Sequence, residues 1–97
     1  MSRLQGKTAV ITGASSGIGQ GIASSFAREG AHVIVNYNKS EQSARKVVEE
    51  IRAKGGKASA IQADISSQDG INRLLAESQT ILGAIDIWVN NAGADIL

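Results

Sequence analysis

The sequence predicts an α/β fold, a doubly wound parallel sheet of four strands in the order 3-2-1-4 with three helices. Two observations carry the prediction. Short apolar runs rich in Val and Ile alternate with segments of helical periodicity about 10–15 residues long, the rhythm of strand–helix–strand units. The helical segments are bounded by Ser and Gly, residues that start and stop helices.

Residues 7–12, Lys-Thr-Ala-Val-Ile-Thr, read as strand one and run into Gly13. After a Gly-rich turn, Ile18, Ile22 and Phe26 recur at four-residue spacing beside Gly19, Ala23 and Ala27, which draws an apolar helix face with a small-residue strip. That helix stops at Gly30. Residues 31–37 hold Val33, Ile34 and Val35, the β-branched centre of strand two. Ser40 can cap a second helix whose Ala44, Val47, Val48 and Ile51 share one side, ending at Lys54 before Gly55 and Gly56. Residues 58–62 are a weaker third strand. Ser66 with Asp69 three residues on resembles a capping box, opening a third helix through Ile71, Leu74, Leu75 and Leu82. Residues 85–90 read as strand four, where Trp88 is expected to pack in the core because both faces of a parallel strand are covered. Right-handed crossovers then put the first two helices on one sheet face and the third on the other. A crevice opens above strands one and four, at the carboxyl ends where open α/β sheets bind ligands.

Length and composition bound the function. The 97 residues fit one domain spanning 1–97. A net charge of +1 creates no field that would gather nucleic acid or an anionic membrane, so the expected partner is a small molecule. Without Cys, and with one His, a structural metal site is not expected. The N-terminus lacks an apolar signal core and no run approaches the ~20 apolar residues of a membrane span, so the expected location is the cytoplasm.

Thr12-Gly13-Ala14-Ser15-Ser16-Gly17-Ile18-Gly19 stands at a strand-to-helix junction, where unpaired helix amides and the positive end of the helix dipole can face an anion. Its Gly-x-x-x-Gly-x-Gly spacing differs from the common Gly-x-Gly-x-x-Gly fingerprint, and no Gly-Lys-Ser/Thr follows, which excludes a P-loop. Glycines that only turn the chain are the competing reading. Asn90-Asn91-Ala92-Gly93 follows strand four, and Asp64-Ile65 follows strand three. The first is also a turn former, and Asp64 also a helix cap.

Together these three segments resemble the N-terminal half of a short-chain dehydrogenase/reductase, and the wording is similar to bacterial 3-oxoacyl-acyl-carrier-protein reductases and glucose 1-dehydrogenases. The resemblance covers the whole chain and implies the N-terminal four-strand portion of a Rossmann-type fold. It implies that Gly13, Ser15, Ser16, Gly17, Ile18 and Gly19 surround the pyrophosphate and adenosine ribose of a nicotinamide dinucleotide. Asp64 would take the adenine amino group, the Ile65 amide a ring nitrogen, and Asn90, Ala92 and Gly93 would line the ribose and nicotinamide side. The parent's implied activity is hydride transfer between a small carbonyl or alcohol and the nicotinamide, in a homo-oligomer. A non-catalytic nucleotide-binding or interaction module is the alternative.

Cofactor choice rests on the end of strand two. A carboxylate about 20 residues after the glycines would accept bonds from the ribose hydroxyls and repel a 2′-phosphate. Residues 33–40 contain no acid, and Tyr37 stands where NAD-preferring members of the resembled family place Asp. Lys39 can pair with the 2′-phosphate, and Asn38, Ser40 or Ser15 can hydrogen-bond it, so NADP is expected over NAD. Lys39 as a solvated loop lysine is the rival reading.

No catalytic residue is expected in the chain. The resembled family uses a Ser and a Tyr-x-x-x-Lys that would lie beyond Leu97, and the single Tyr37 is followed four residues later by Glu41. The 97 residues alone are therefore expected to be inactive. His32 reads as a surface residue rather than a base, and Arg45, Lys46, Glu49, Glu50 and Arg52 as a solvated helix face. With strand four at an edge, the isolated chain is expected to self-associate through residues 85–90 or to need the C-terminal half of the resembled family to stay soluble.

Overall fold

The computed structural model describes residues 3–15 and 17–91. The elements run β1 (Thr8–Ile11), α1 (Gly17–Arg28), β2 (His32–Tyr37), α2 (Glu41–Ala53), β3 (Lys57–Gln62), α3 (Gln68–Leu82) and β4 (Ile87–Val89). All strand pairs are parallel and the sheet order is β3-β2-β1-β4, as expected from the sequence.

Alternation of side chains along the strands divides the core. Ala9, Ile11, Val33, Val35 and Ala58 face α1 and α2, which contribute Ala23, Ala27, Ala44, Val47, Val48 and Ile51. Val10, Ile34, Ile61 and Ala63 face α3, which contributes Leu74. Two helices therefore cover one face and one helix the other, the arrangement right-handed crossovers require.

Helix boundaries follow local chemistry. The α2 carboxyl end is a Schellman turn: the Gly55 amide donates to the Arg52 carbonyl at 3.0 Å and the Gly56 amide to the Ile51 carbonyl at 2.9 Å. The expected capping box does not form. Ser67, not Ser66, caps α3, its Oγ accepting from the Gly70 amide at 3.0 Å. Ser66 is withdrawn from capping because its Oγ donates to Asp64 Oδ1 at 2.6 Å. Ser40 occupies the N-cap position of α2 but makes no side-chain cap bond, and the Glu41 amide turns back to the Lys39 carbonyl at 3.1 Å.

Two packing expectations are corrected. In α1 the small residues Gly19, Ala23 and Ala27 are buried, while Ile18 is 69% exposed; the helix lies close to the sheet along its small strip and turns Ile18 outward. Trp88 is 36% exposed, not core. Its register partner is Val10, so it points to the α3 face, but α3 packs chiefly over β2 and β3 and leaves Trp88 part-exposed at the sheet's flank. The charged face of α2 is solvated as expected, with an Arg45–Glu41 ion pair at 2.7 Å.

Candidate cofactor site

Because every strand points the same way, the segments after β1, β2, β3 and β4 all emerge at one edge of the sheet. The structure thus brings Gly13, Ser15, Gly17, Ile18, Gly19, Tyr37, Asn38, Lys39, Ser40, Asp64, Ile65 and Asn90 to a common carboxyl edge. Ser16, Ala92 and Gly93 lie outside the described residues.

Gly13 and Gly17 take φ of +61° and +62°, the left-handed region that favours glycine, and so turn β1 into α1. Gly19 is required for a different reason. A Cβ there would collide with the Gly13 carbonyl oxygen and come within 2.5 Å of Asn91 Nδ2. Only a bare backbone lets the first turn of α1 settle onto the glycine loop.

Two asparagines and a threonine hold that loop. Asn36, in β2 and 2% exposed, accepts from the Gly13 amide at 3.2 Å through Oδ1. Its Nδ2 lies 3.3 Å from the Ile61 and Ala63 carbonyls. From the other side, Asn91 Nδ2 donates to the Gly13 carbonyl at 3.2 Å. The Asn91 amide donates to Thr12 Oγ1 at 2.8 Å. Asn36 was not among the residues expected at the site, and Asn91 stood in the expected 90–93 segment without a role of its own. A single polar residue inside the apolar run of β2 was the available signal for Asn36, since a polar side chain buried in a strand needs internal partners.

Asp64 Oδ1 accepts from the Ser66 amide at 2.9 Å as well as from the Ser66 hydroxyl. These bonds hold its carboxyl below the usual aspartate range, and the Lys39 charge acts in the same direction. Lys39 and Asp64 thus share an electrostatic neighbourhood across the β2 and β3 ends. Tyr37 packs partly buried against the α1 and α2 core, while Asn38, Lys39 and Ser40 are exposed. Ile65 is half-buried against the α3-side cluster.

The opposite, amino edge holds other features. His32 opens β2 there, away from the glycine turn, and its pKa is lowered by partial burial and by the charges of Lys57 and Arg52. A cavity of about 260 Å³ lies between the carboxyl ends of α1 and α2, lined by Gln5, Ser24, Arg28, Glu50 and Lys54 among others, and shares no residue with the glycine turn. No group of three or more His, Cys, Asp or Glu among the described residues could hold a metal ion.

A parallel sheet in this order, with a glycine turn leading into a helix at its carboxyl edge, is an α/β domain of the dinucleotide-binding class. The chain belongs to the short chain dehydrogenase family, which it matches over residues 7–97. It is 43% identical over 93 residues to a 3β-hydroxysteroid dehydrogenase of Eggerthella lenta, covering 96% of this chain and 36% of that protein. A short chain dehydrogenase from Burkholderia cenocepacia in complex with NADP superposes with a TM-score of 0.87 at 43% identity, over 91% of this chain and 36% of the other. A 7α-hydroxysteroid dehydrogenase complexed with NADH and 7-oxo glycochenodeoxycholic acid has a TM-score of 0.87 at 44% identity, over 91% of this chain and 34% of the other. The chain thus spans about a third of the length of these relatives.

Proposed function

We propose that residues 1–97 are the NAD(P)-binding part of an oxidoreductase that transfers hydride between a small carbonyl or alcohol and a nicotinamide dinucleotide. The observation that carries this is the glycine turn, pinned by Asn36 and Asn91 at the carboxyl edge of the sheet, in a chain of this family. Solved relatives of closely similar fold hold NADP and NADH. Nothing among the comparisons favours a non-catalytic module.

The residues present fit such a cofactor. Gly13, Ser15, Ser16, Gly17, Ile18 and Gly19 would receive the pyrophosphate and ribose, with helix amides supplying the positive potential. Ile18, exposed at the mouth, offers an apolar contact. Asp64 and the Ile65 amide would meet the adenine, and Asn90, Ala92 and Gly93 the nicotinamide side. Asp64 Oδ1 is committed to Ser66, which leaves Oδ2 for that contact. The bound nicotinamide would supply the hydride or accept it; these 97 residues would hold and orient it. The general acid and the substrate pocket would come from outside this segment, so the chain alone would bind without turnover.

NADP is preferred in this reading. Lys39, Asn38 and Ser40 stand beside the α2 N-terminus, whose amides Ser40 does not cap, and residues 33–40 carry no acid. The parent is read as a cytoplasmic homo-oligomer without nucleic-acid or membrane partners; no helix among the described residues is long and apolar enough to cross a membrane. Isothermal titration tests the reading. NADP should bind more tightly than NAD, tighter NAD binding would reverse the preference, and binding of neither would defeat the function.

A further inference from the structure

A hydrogen-bonded file runs from α3 to the loop that follows β2. Arg73 Nη1 pairs with Glu77 Oε2 at 3.0 Å, and Arg73 Nη2 donates to Gln62 Oε1 at 2.8 Å. Gln62 Nε2 then donates to the Asn38 carbonyl at 3.1 Å and lies 3.2 Å from Asn38 Oδ1. Gln62 ends β3 in register with Tyr37, so its side chain bridges to the residue after β2.

The file has a direction. A guanidinium has donors and no acceptor, so Arg73 dictates that Gln62 turns its carbonyl end towards α3. The amide end of Gln62 is then aimed at Asn38 and selects the acceptor end of the Asn38 side chain. What remains on Asn38 is Nδ2, a pure donor, in the loop that also carries Lys39 and Ser40. A donor suits a phosphate, whereas an outward Oδ1 would suit a ribose hydroxyl and repel a phosphate.

We propose that Arg73 acts through Gln62 as a specificity-determining positioning residue, setting the orientation of the Asn38 amide so that a donor faces the adenosine 2′ position and NADP is chosen over NAD. This rests on the cofactor reading above. Neither Arg73 nor Gln62 need touch the nucleotide.

The test is the ratio of NAD to NADP dissociation constants for the full chain and its variants. Arg73→Lys keeps a donor and should hold the ratio near its original value. Arg73→Glu presents only acceptors, reverses the file and should lower the ratio about tenfold, a change of roughly 1.4 kcal/mol. Gln62→Met, which cuts the file, should fall between. Measuring also near 1 M salt, where the screening length is about 3 Å, separates orientation from simple charge: the effect of Arg73→Glu should persist there. Melting temperatures show that the variants fold. Wild-type binding of both nucleotides with a ratio unmoved by Arg73→Glu and Gln62→Met, or moved only at low salt, overturns the proposal and leaves the cofactor reading standing. Wild-type binding of neither overturns both.

Discussion

Gly19 makes the sharpest single-residue demand in the chain. Alanine there meets the Gly13 and Ala14 backbone, which cannot yield, and the side-chain Nδ2 of Asn91, which could move aside only by giving up its bond to the Gly13 carbonyl. Gly19→Ala should destabilise by about 1–3 kcal/mol, the usual cost of overpacking, and lower NADP affinity in step, as read by thermal melts and titration. His32 makes a pH-dependent contribution. Its lowered pKa means that the unfolded chain takes up the proton first, so stability is full above the ordinary histidine value of about 6.5 and declines as pH falls below it. Replacing His32 with Asn should flatten the stability curve between about pH 5 and 6.5, before carboxylates begin to titrate; an unchanged slope would assign that window elsewhere.

Between elements, one buried amide replaces several backbone links. Asn36 reaches the Gly13 amide and the Ile61 and Ala63 carbonyls, so it joins the ends of β1, β2 and β3. Asn36→Leu should cost about 2–4 kcal/mol in denaturant unfolding because buried partners lose their bonds and water cannot replace them. The elements themselves were legible in the sequence: Val33, Ile34 and Val35 mark β2, and Gly55 marks the end of α2. What local pattern could not supply was the choice between near-equal partners. Ser66 and Ser67 are both competent caps, and only the position of the Asp64 carboxylate decides between them. Asn36 interrupts an apolar run, and its partners lie at the ends of other strands, out of reach of local pattern. Ile18 matched the helical period but stands one turn beyond the sheet's cover. Asp64, Lys39 and the glycines come to one edge because they follow strands, and strand ends converge in a parallel sheet; Ser16, Ala92 and Gly93 lie outside the described residues.

For the molecule as a whole, the sheet is protected unequally. β4 pairs with β1 alone among the described residues, and its Trp88 is part-exposed, as are Leu75 and Ile81. An edge of this kind templates further pairing. The isolated chain should therefore self-associate at tens of micromolar, an order-of-magnitude choice suited to weak contacts. Trp88→Lys should shift sedimentation equilibrium towards monomer, and a wild-type chain that is already monomeric would refute the association. The Trp88 expectation failed for the same reason: burial on both faces is a property of interior strands, and β4 flanks this sheet.

The join between the first and last strands also has a temporal side. The Thr8 amide donates to Asp86 Oδ2 at 2.9 Å and the Asp86 amide to Thr8 Oγ1 at 3.0 Å, across a separation of 78 residues. β1 leaves the ribosome before the other three strands, yet its second flank has no neighbour until β4 has been made, while β2 can already pair with it and β3 with β2. At about 5–20 residues per second, the nascent chain spends several seconds with the centre of its future sheet half-clad. The clasp at Thr8 and Asp86 is then a late event, and the glycine turn, which depends on Asn91 as well as Asn36, becomes complete only after it.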